Sequence, residues 1–254
     1  MQASLPLGVP QTGLPDYAEL VCRTNFSFLQ GASHAQELVE RAIELGYRAL
    51  AITDECTMAG VVRAHAAWME QVNRGKAKDF KLLIGSCFRF TSFKDDPAHP
   101  LARMTLVALA RNREGYGNLC ELITLARTRA EKGSYLLSPQ DLSQPPPALS
   151  HLRTLPDCQL ILMPDYPADE ETLDAQLRWF APLAPGRSWV GMTRLYRPLD
   201  DLHRAAIDAA ARLHGLPLAA VGDVQMHQRS RKYLQDVVTA IRLGKPVQEC
   251  GLAL

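Results

Sequence analysis

Ser33-His-Ala-Gln-Glu-Leu-Val-Glu-Arg-Ala-Ile-Glu-Leu-Gly46-Tyr-Arg-Ala49-Leu-Ala-Ile52-Thr-Asp54-Glu55 is the stretch whose reading sets the architecture. Leu38, Ala42 and Leu45 recur at three-to-four spacing, which puts them on one face of a helix. Ser33, with Gln36 three residues on, reads as a capping-box pair at its start, and Gly46 as its stop. Ala49–Ile52 then forms an apolar run too short for a helix and suited to a strand buried on both faces. The run ends on polar Thr53, Asp54 and Glu55. Amphipathic helix, glycine turn, buried strand and acidic strand end together make one unit of an α/β fold.

The same rhythm extends outward in both directions. Residues 1–16 carry Pro6, Pro10 and Pro15 and read as an irregular lead-in, followed by a strand over Tyr17–Cys22. Downstream, the pattern predicts a helix over Ala59–Asn73, a strand over Lys81–Gly85 that Phe88–Phe90 extends, and a strand over Met104–Ala110. A helix over Tyr116–Glu131 follows, then strand Cys158–Met163 and helix Glu170–Phe180. Strand Trp189–Met192, helix Leu202–His214, strand Leu218–Val221 and helix Ser230–Leu243 complete it. Ser138–Ser150 holds Pro139, Pro145, Pro146 and Pro147 and is expected to be a loop, because proline neither donates to a ladder nor continues a helix. The rhythm continues across it, so 17–254 is expected to be one domain. Short apolar strands linked by amphipathic helices predict a parallel sheet with helices outside, closed in the manner of a barrel.

Composition narrows the function. The 254 residues carry 28 Lys and Arg against 27 Asp and Glu, for a net charge of +1. Dedicated nucleic-acid grips usually carry a strong basic excess. No apolar run reaches the roughly 20 residues of a membrane span, and no secretory signal opens the chain, so the expected location is cytoplasmic with no membrane partner. The six cysteines are scattered without a C-x-x-C pair, which favours reduced thiols packed as small hydrophobes over disulfides or structural zinc.

In barrels of this kind chemistry gathers where strands end. That points to residues 23–30, Asp54 and Glu55, Ser86 and Cys87, Arg194, and residues 223–227. Asp54 and Asp223 each follow an apolar strand, so the pair could share a divalent metal, or each could cap the next turn. Glu55 adds a third candidate carboxylate, and His227 a candidate imidazole. His34, His65, His203 and His214 sit inside helix patterns on no shared metal-binding spacing, and H-x-H and H-E-x-x-H are both missing. So are G-x-S-x-G and the glycine-rich phosphate loops. Arg229, Arg231 and Lys232 form a basic patch that is either a solvated face or a contact for a phosphate or an acidic neighbour.

Five segments, in order, resemble the PHP (polymerase and histidinol phosphatase) domain of bacterial C-family DNA polymerases. They are residues 17–31, residues 44–56, Ala110-Arg-Asn-Arg-Glu-Gly-Tyr-Gly-Asn-Leu119, Gly215-Leu-Pro-Leu-Ala-Ala-Val-Gly-Asp-Val224 and residues 229–242. Thr53-Asp-Glu-Cys56 and Arg229-Ser-Arg-Lys232 are most similar to the error-prone, damage-inducible branch. The resemblance implies a distorted (β/α)7 barrel of the PHP fold, forming the N-terminal part of a longer polymerase whose nucleotidyl-transfer carboxylates lie in a palm outside this chain. It also implies magnesium for that polymerase. Its partners would be the remaining polymerase domains, DNA, a sliding clamp and accessory mutagenesis proteins related to Y-family polymerases.

Metal-bearing members of that family hold up to three divalent ions through His, Asp, Glu and Cys ligands. The residues at the matching positions here are Val21 and Arg23 for the H-x-H motif, then Gln30, Asp54 and Glu55, Cys87, Thr105, and Asp223 with Gln225. Valine cannot ligate, and the arginine brings a permanent positive charge. The expectation is therefore a degenerate remnant with no catalytic residues, no cofactor and no metal, in which Arg23 pairs with Asp54 or Asp223. The competing expectation is an active metal-dependent 3′–5′ exonuclease or phosphoesterase, with a small-molecule phosphatase behind it.

Overall fold

The computed structural model describes residues 16–253, so the lead-in expected over 1–16 lies, apart from Asp16, outside the described residues. Seven strands form one curled sheet in chain order: β1 (Ala18–Glu19), β2 (Ala49–Ile52), β3 (Lys81–Phe88), β4 (Met104–Ala110), β5 (Cys158–Pro164), β6 (Ser188–Met192) and β7 (Leu218–Ala220). The main helices are α1 (Ala35–Glu44), α2 (Val61–Asn73), α3 (Arg113–Thr128), α4 (Gln140–Ser143), α5 (Glu170–Phe180), α6 (Asp200–Leu213) and α7 (Lys232–Leu243). None of the helices in the described residues is long and apolar enough to cross a membrane.

One strand breaks the expected parallel order. β4 runs antiparallel to both β3 and β5, while the other neighbouring pairs are parallel. A parallel return needs a crossover, usually a helix. The segment between β3 and β4 holds only two 3-10 turns, Thr91–Phe93 and Pro100–Ala102. The reversal brings the first residues of β4, including Thr105, to the edge where the other strands end.

The ends of the sheet meet. Arg23 donates its backbone N–H to the Val224 carbonyl at 2.8 Å, and Val224 donates its own to Val21 at 2.9 Å. Glu19, 1% exposed, stitches the same seam. Its carboxylate accepts from the Tyr17 hydroxyl, from the Val21 N–H and from the Gly222 N–H at 2.9–3.0 Å. Burial raises its pKa against these donors. A Cβ at Gly222 would stand 2.2 Å from a Glu19 carboxylate oxygen, so only glycine lets the backbone come this close.

Side chains alternate across each strand. Val21, Ala51, Cys87, Val107, Leu109, Ile161, Met163 and Val221 fill the barrel interior. Leu50 and Ile52 face outward under α1 and α2, and Leu106, Leu160 and Leu162 pack under α3, α5 and α6. The six cysteines are free, and five of them are buried.

Three local expectations shift. Ser33 does not cap α1; the cap position is His34, whose N–H donates to Glu37 at 2.8 Å. The Ser33 hydroxyl is instead taken by His227, within 3.0 Å of its ring and backbone nitrogens. α3 begins at Arg113 because Asn112 accepts the Gly115 N–H at 2.9 Å and fixes the start. The proline-rich stretch is not a plain loop. It contains α4 and a 3-10 turn over Pro147–Leu152, because proline is tolerated in the first turn of a helix, where no N–H is needed.

Candidate functional site

The open end of the barrel holds a cavity of about 720 Å³. Of the nine residues at the family's ligand positions, seven line it: Arg23, Gln30, Glu55, Cys87, Thr105, Asp223 and Gln225. Val21 lies in the apolar interior and Asp54 behind the wall, both fully buried. Alternation along the first strand segment turns Val21 and Arg23 inward and Cys22 outward.

Arg23 organises the mouth. Its Nη1 lies 2.9 Å from Asp223 Oδ1, an ion pair that is not aligned as a hydrogen bond, because that oxygen has no donor in line with it. Its Nε donates to Cys87 Sγ at 3.5 Å. Burial alone would make the guanidinium easier to deprotonate, but Cys87, Asp223 and Glu55 outweigh it and push its pKa up. Burial pushes the Cys87 thiol to about 11 despite Arg23, so it remains a neutral thiol at pH 7.

Asp54 makes no pair with Arg23. Its carboxylate accepts from the Thr24 N–H at 2.7 Å, the Thr24 hydroxyl at 2.9 Å and the Ser27 hydroxyl at 2.7 Å. Burial raises its pKa and these donors oppose the rise. Asp54 thus pins the 23–31 loop to the end of β2. Glu55 faces the cavity and accepts from the Gln30 amide and, at 2.7 Å, from the Tyr135 hydroxyl. Gln235 on α7 donates to the Gln225 side chain at 3.0 Å and to the Gln30 carbonyl at 2.7 Å, tying the helix across the mouth.

The sequence did not single out the far wall. Arg89 grips Asp165 in a fork with distances of 2.9 and 2.7 Å. Arg197 lies 3.6 Å from the centre of the Tyr166 ring and donates to Asp200 at 3.0 Å. His203 lines the cavity and accepts the Ala168 N–H. Arg89 and Asp165 directly follow β3 and β5, so the strand-end rule would have found them, whereas His203 is hidden in the periodicity of α6. Arg194 sits at the rim near Asp201. His227 is held by Ser33 outside the cavity. Arg231 pairs with Glu37 and Lys232 with Asp236, so two of the three residues of the basic patch meet acidic neighbours within the domain.

A divalent ion does not fit this arrangement. Guanidinium occupies the centre, Asp223 is paired with it, and Asp54 is turned to hydroxyl and amide donors. Among the described residues no three His, Cys, Asp or Glu side chains come together as a metal cage.

The family description of the PHP domain matches residues 19–145, half of the chain. The chain belongs to the PHP domain family. This PHP domain is 54% identical over 241 residues to the error-prone DNA polymerase of Bordetella parapertussis, and 50% identical over 254 residues to that of Ralstonia nicotianae. These matches cover 95% and 100% of the chain, which spans only 22% of the length of either relative. Among solved structures, the PHP domain is similar to an amidohydrolase from Chromobacterium violaceum, with a TM-score of 0.52 at 14% identity, covering 82% of this chain and 87% of that one. A chain from Bifidobacterium adolescentis, named for a metal-dependent phosphoesterase, matches at a TM-score of 0.50 and 16% identity, covering 84% and 88%. These two likenesses establish the barrel fold alone.

Proposed function

We propose that this PHP domain is part of an error-prone DNA polymerase acting in translesion synthesis and damage-induced mutagenesis, and that within it the domain is a metal-free structural and interaction module. The names and identities of the relatives support the first half. The second half rests on one observation: the Arg23–Asp223 pair at the centre of the mouth. A fixed guanidinium repels a divalent ion and at the same time neutralises the carboxylate that would bind it.

In this reading nucleotidyl transfer, with its magnesium, belongs to the part of the polymerase beyond this chain. The domain braces that part, in the cytoplasm, together with accessory mutagenesis proteins and the sliding clamp. The exonuclease reading has no specific observation in its favour.

Elemental analysis of the purified protein, with a labelled-primer digestion assay in added Mn²⁺ or Zn²⁺, tests the module. The expected result is no stoichiometric metal and an intact primer. Bound metal near one equivalent, or metal-dependent shortening of the primer, overturns it. Primer extension across a damaged template base by the full-length protein tests the polymerase assignment separately.

A further inference from the structure

We propose that the groove between the Thr193–Leu199 loop and α7 holds a single strand of nucleic acid, with Tyr196 as a stacking platform, and does not cut it. The chain as a whole is nearly neutral, but residues 193–245 carry nine Lys and Arg against five Asp and Glu. That surplus belongs to the span from the β6–α6 loop to the turn after α7. Part of it is spent internally: Arg197 on Asp200, Arg231 on Glu37, Lys232 on Asp236 and Arg212 on Asp208. Among the described residues, Arg204, Arg229, Arg242 and Lys245 have no carboxylate within salt-bridge distance. Arg242 lines the cavity from α7, and Leu195 and Arg197 line it from the loop.

Tyr196 stands on this loop with its side chain in solvent, 89% exposed. Its backbone is left-handed, at φ 58°. Asp200 enforces that conformation by accepting the N–H groups of Leu195 at 2.7 Å and Arg197 at 3.1 Å on either side of it. Arg194 lies over the ring, 5.7 Å from its centre. Held in this strained conformation the ring is displayed to solvent with Arg194 over it, and such positions cluster where ligands bind. Every base has a π-face, so an exposed ring beneath Arg194, beside a groove that Arg242 lines, suits a single strand, whose bases are free to stack while its phosphates meet the cations. A duplex hides those faces. The proposal needs neither polymerase nor nuclease activity in this chain and so goes beyond the functional reading above.

The test is fluorescence anisotropy of a fluorescein-labelled deoxythymidine oligomer of ~12 nucleotides, titrated with this protein at several salt concentrations. Saturable binding that weakens with salt is expected, with weaker binding to a duplex of the same length. Tyr196→Ala should weaken binding roughly tenfold, and Tyr196→Phe should restore it. Arg242→Ala should reduce the slope of log affinity against log salt by about 0.7, the loss of one phosphate contact. Matching far-UV circular dichroism shows that the variants remain folded. No binding at low salt, equal binding of duplex, or no effect of Tyr196→Ala overturns the proposal; in the last case the exposed Leu199 and Leu202 beside Tyr196 mark a protein contact instead. Cleavage of the oligomer in Mn²⁺ would instead strike at the metal-free reading, so the two failures are distinguishable.

Discussion

Arg23 Nη1 lies 2.9 Å from Asp223 Oδ1, and the two residues belong to segments at opposite ends of the sheet. The pair therefore joins the seam of the barrel as well as filling its mouth. Next to it Arg23 N–H bonds the Val224 carbonyl, so side chain and backbone close the same gap. Breaking such a pair on one side leaves a poorly solvated charge without its partner.

Arg23→Met should therefore lower stability by about 3 kcal/mol at pH 7, measured by urea unfolding. Asp223→Asn should cost a comparable amount. The double variant Arg23→Met/Asp223→Asn should lose clearly less than the sum, because neither charge is then left alone. Additive losses would mean that the two side chains do not couple.

Asp54 separates a structural hub from a metal ligand. Asp54→Ala strands the Thr24 N–H and two hydroxyls, and should cost about 3 kcal/mol with loss of amide-exchange protection over 23–31. Asp54→Asn keeps acceptor oxygen at the same place and should cost less than about 1 kcal/mol. The sign of its pH dependence follows from burial. The folded-state pKa is raised, so the contribution of Asp54 to stability is full below the ordinary carboxylate value and declines as pH rises through the folded one. Asp54→Asn should therefore flatten part of the stability loss between acid and neutral pH.

Gly222→Ala should open the seam. The new methyl meets a Glu19 oxygen that cannot swing away, since Tyr17, Val21 and Gly222 itself hold it. The expected loss is roughly 2 kcal/mol, seen as a lower thermal midpoint. Shortening the partner in Glu19→Ser/Gly222→Ala should recover part of it, which a purely backbone effect at Gly222 would not allow.

The proline-rich segment hangs on Arg129 and Asp141, which face each other as a fork at 2.9 Å in both arms. Burial raises the Asp141 pKa, but Arg129 and the Ser138 donors outweigh it and hold it below the ordinary value. A depressed folded-state pKa contributes stability above the unfolded value that is lost as pH falls through the folded one. Asp141→Asn should cost about 1–2 kcal/mol at pH 7, and the gap from the native protein should close below about pH 4 in thermal melts.

Strand and helix positions were readable because local periodicity carries them. α5 falls on its predicted residues, and β2 and β4 on theirs. The reversal of β4 was legible in the missing crossover, since no helix pattern lies between Phe90 and Met104, but the strand's own apolar residues carry no sign of it. The residues at the mouth were found through motif positions: Arg23, Glu55, Cys87, Asp223 and their neighbours. Arg89 and Asp165 directly follow β3 and β5 and were legible by the strand-end rule, whereas His203 was not, because nothing in the local sequence distinguishes it from an ordinary helix histidine. Glu19 was missed for the same reason, since a lone glutamate in a short strand gives no sign that four donor contacts converge on it.

By itself the sequence determined which segments are strands and helices, a property of side-chain type and spacing fixed before the chain folds; its resemblance to the PHP family added that Val21 and Arg23 stand at the positions of that family's imidazole ligands. Tertiary structure alone decided that Arg23 turns to Asp223 and Cys87 while Asp54 turns to Thr24 and Ser27. That choice depends on how the elements of the sheet meet, and partners from 27 to about 200 residues apart in the chain are chosen by geometry, which no local pattern records.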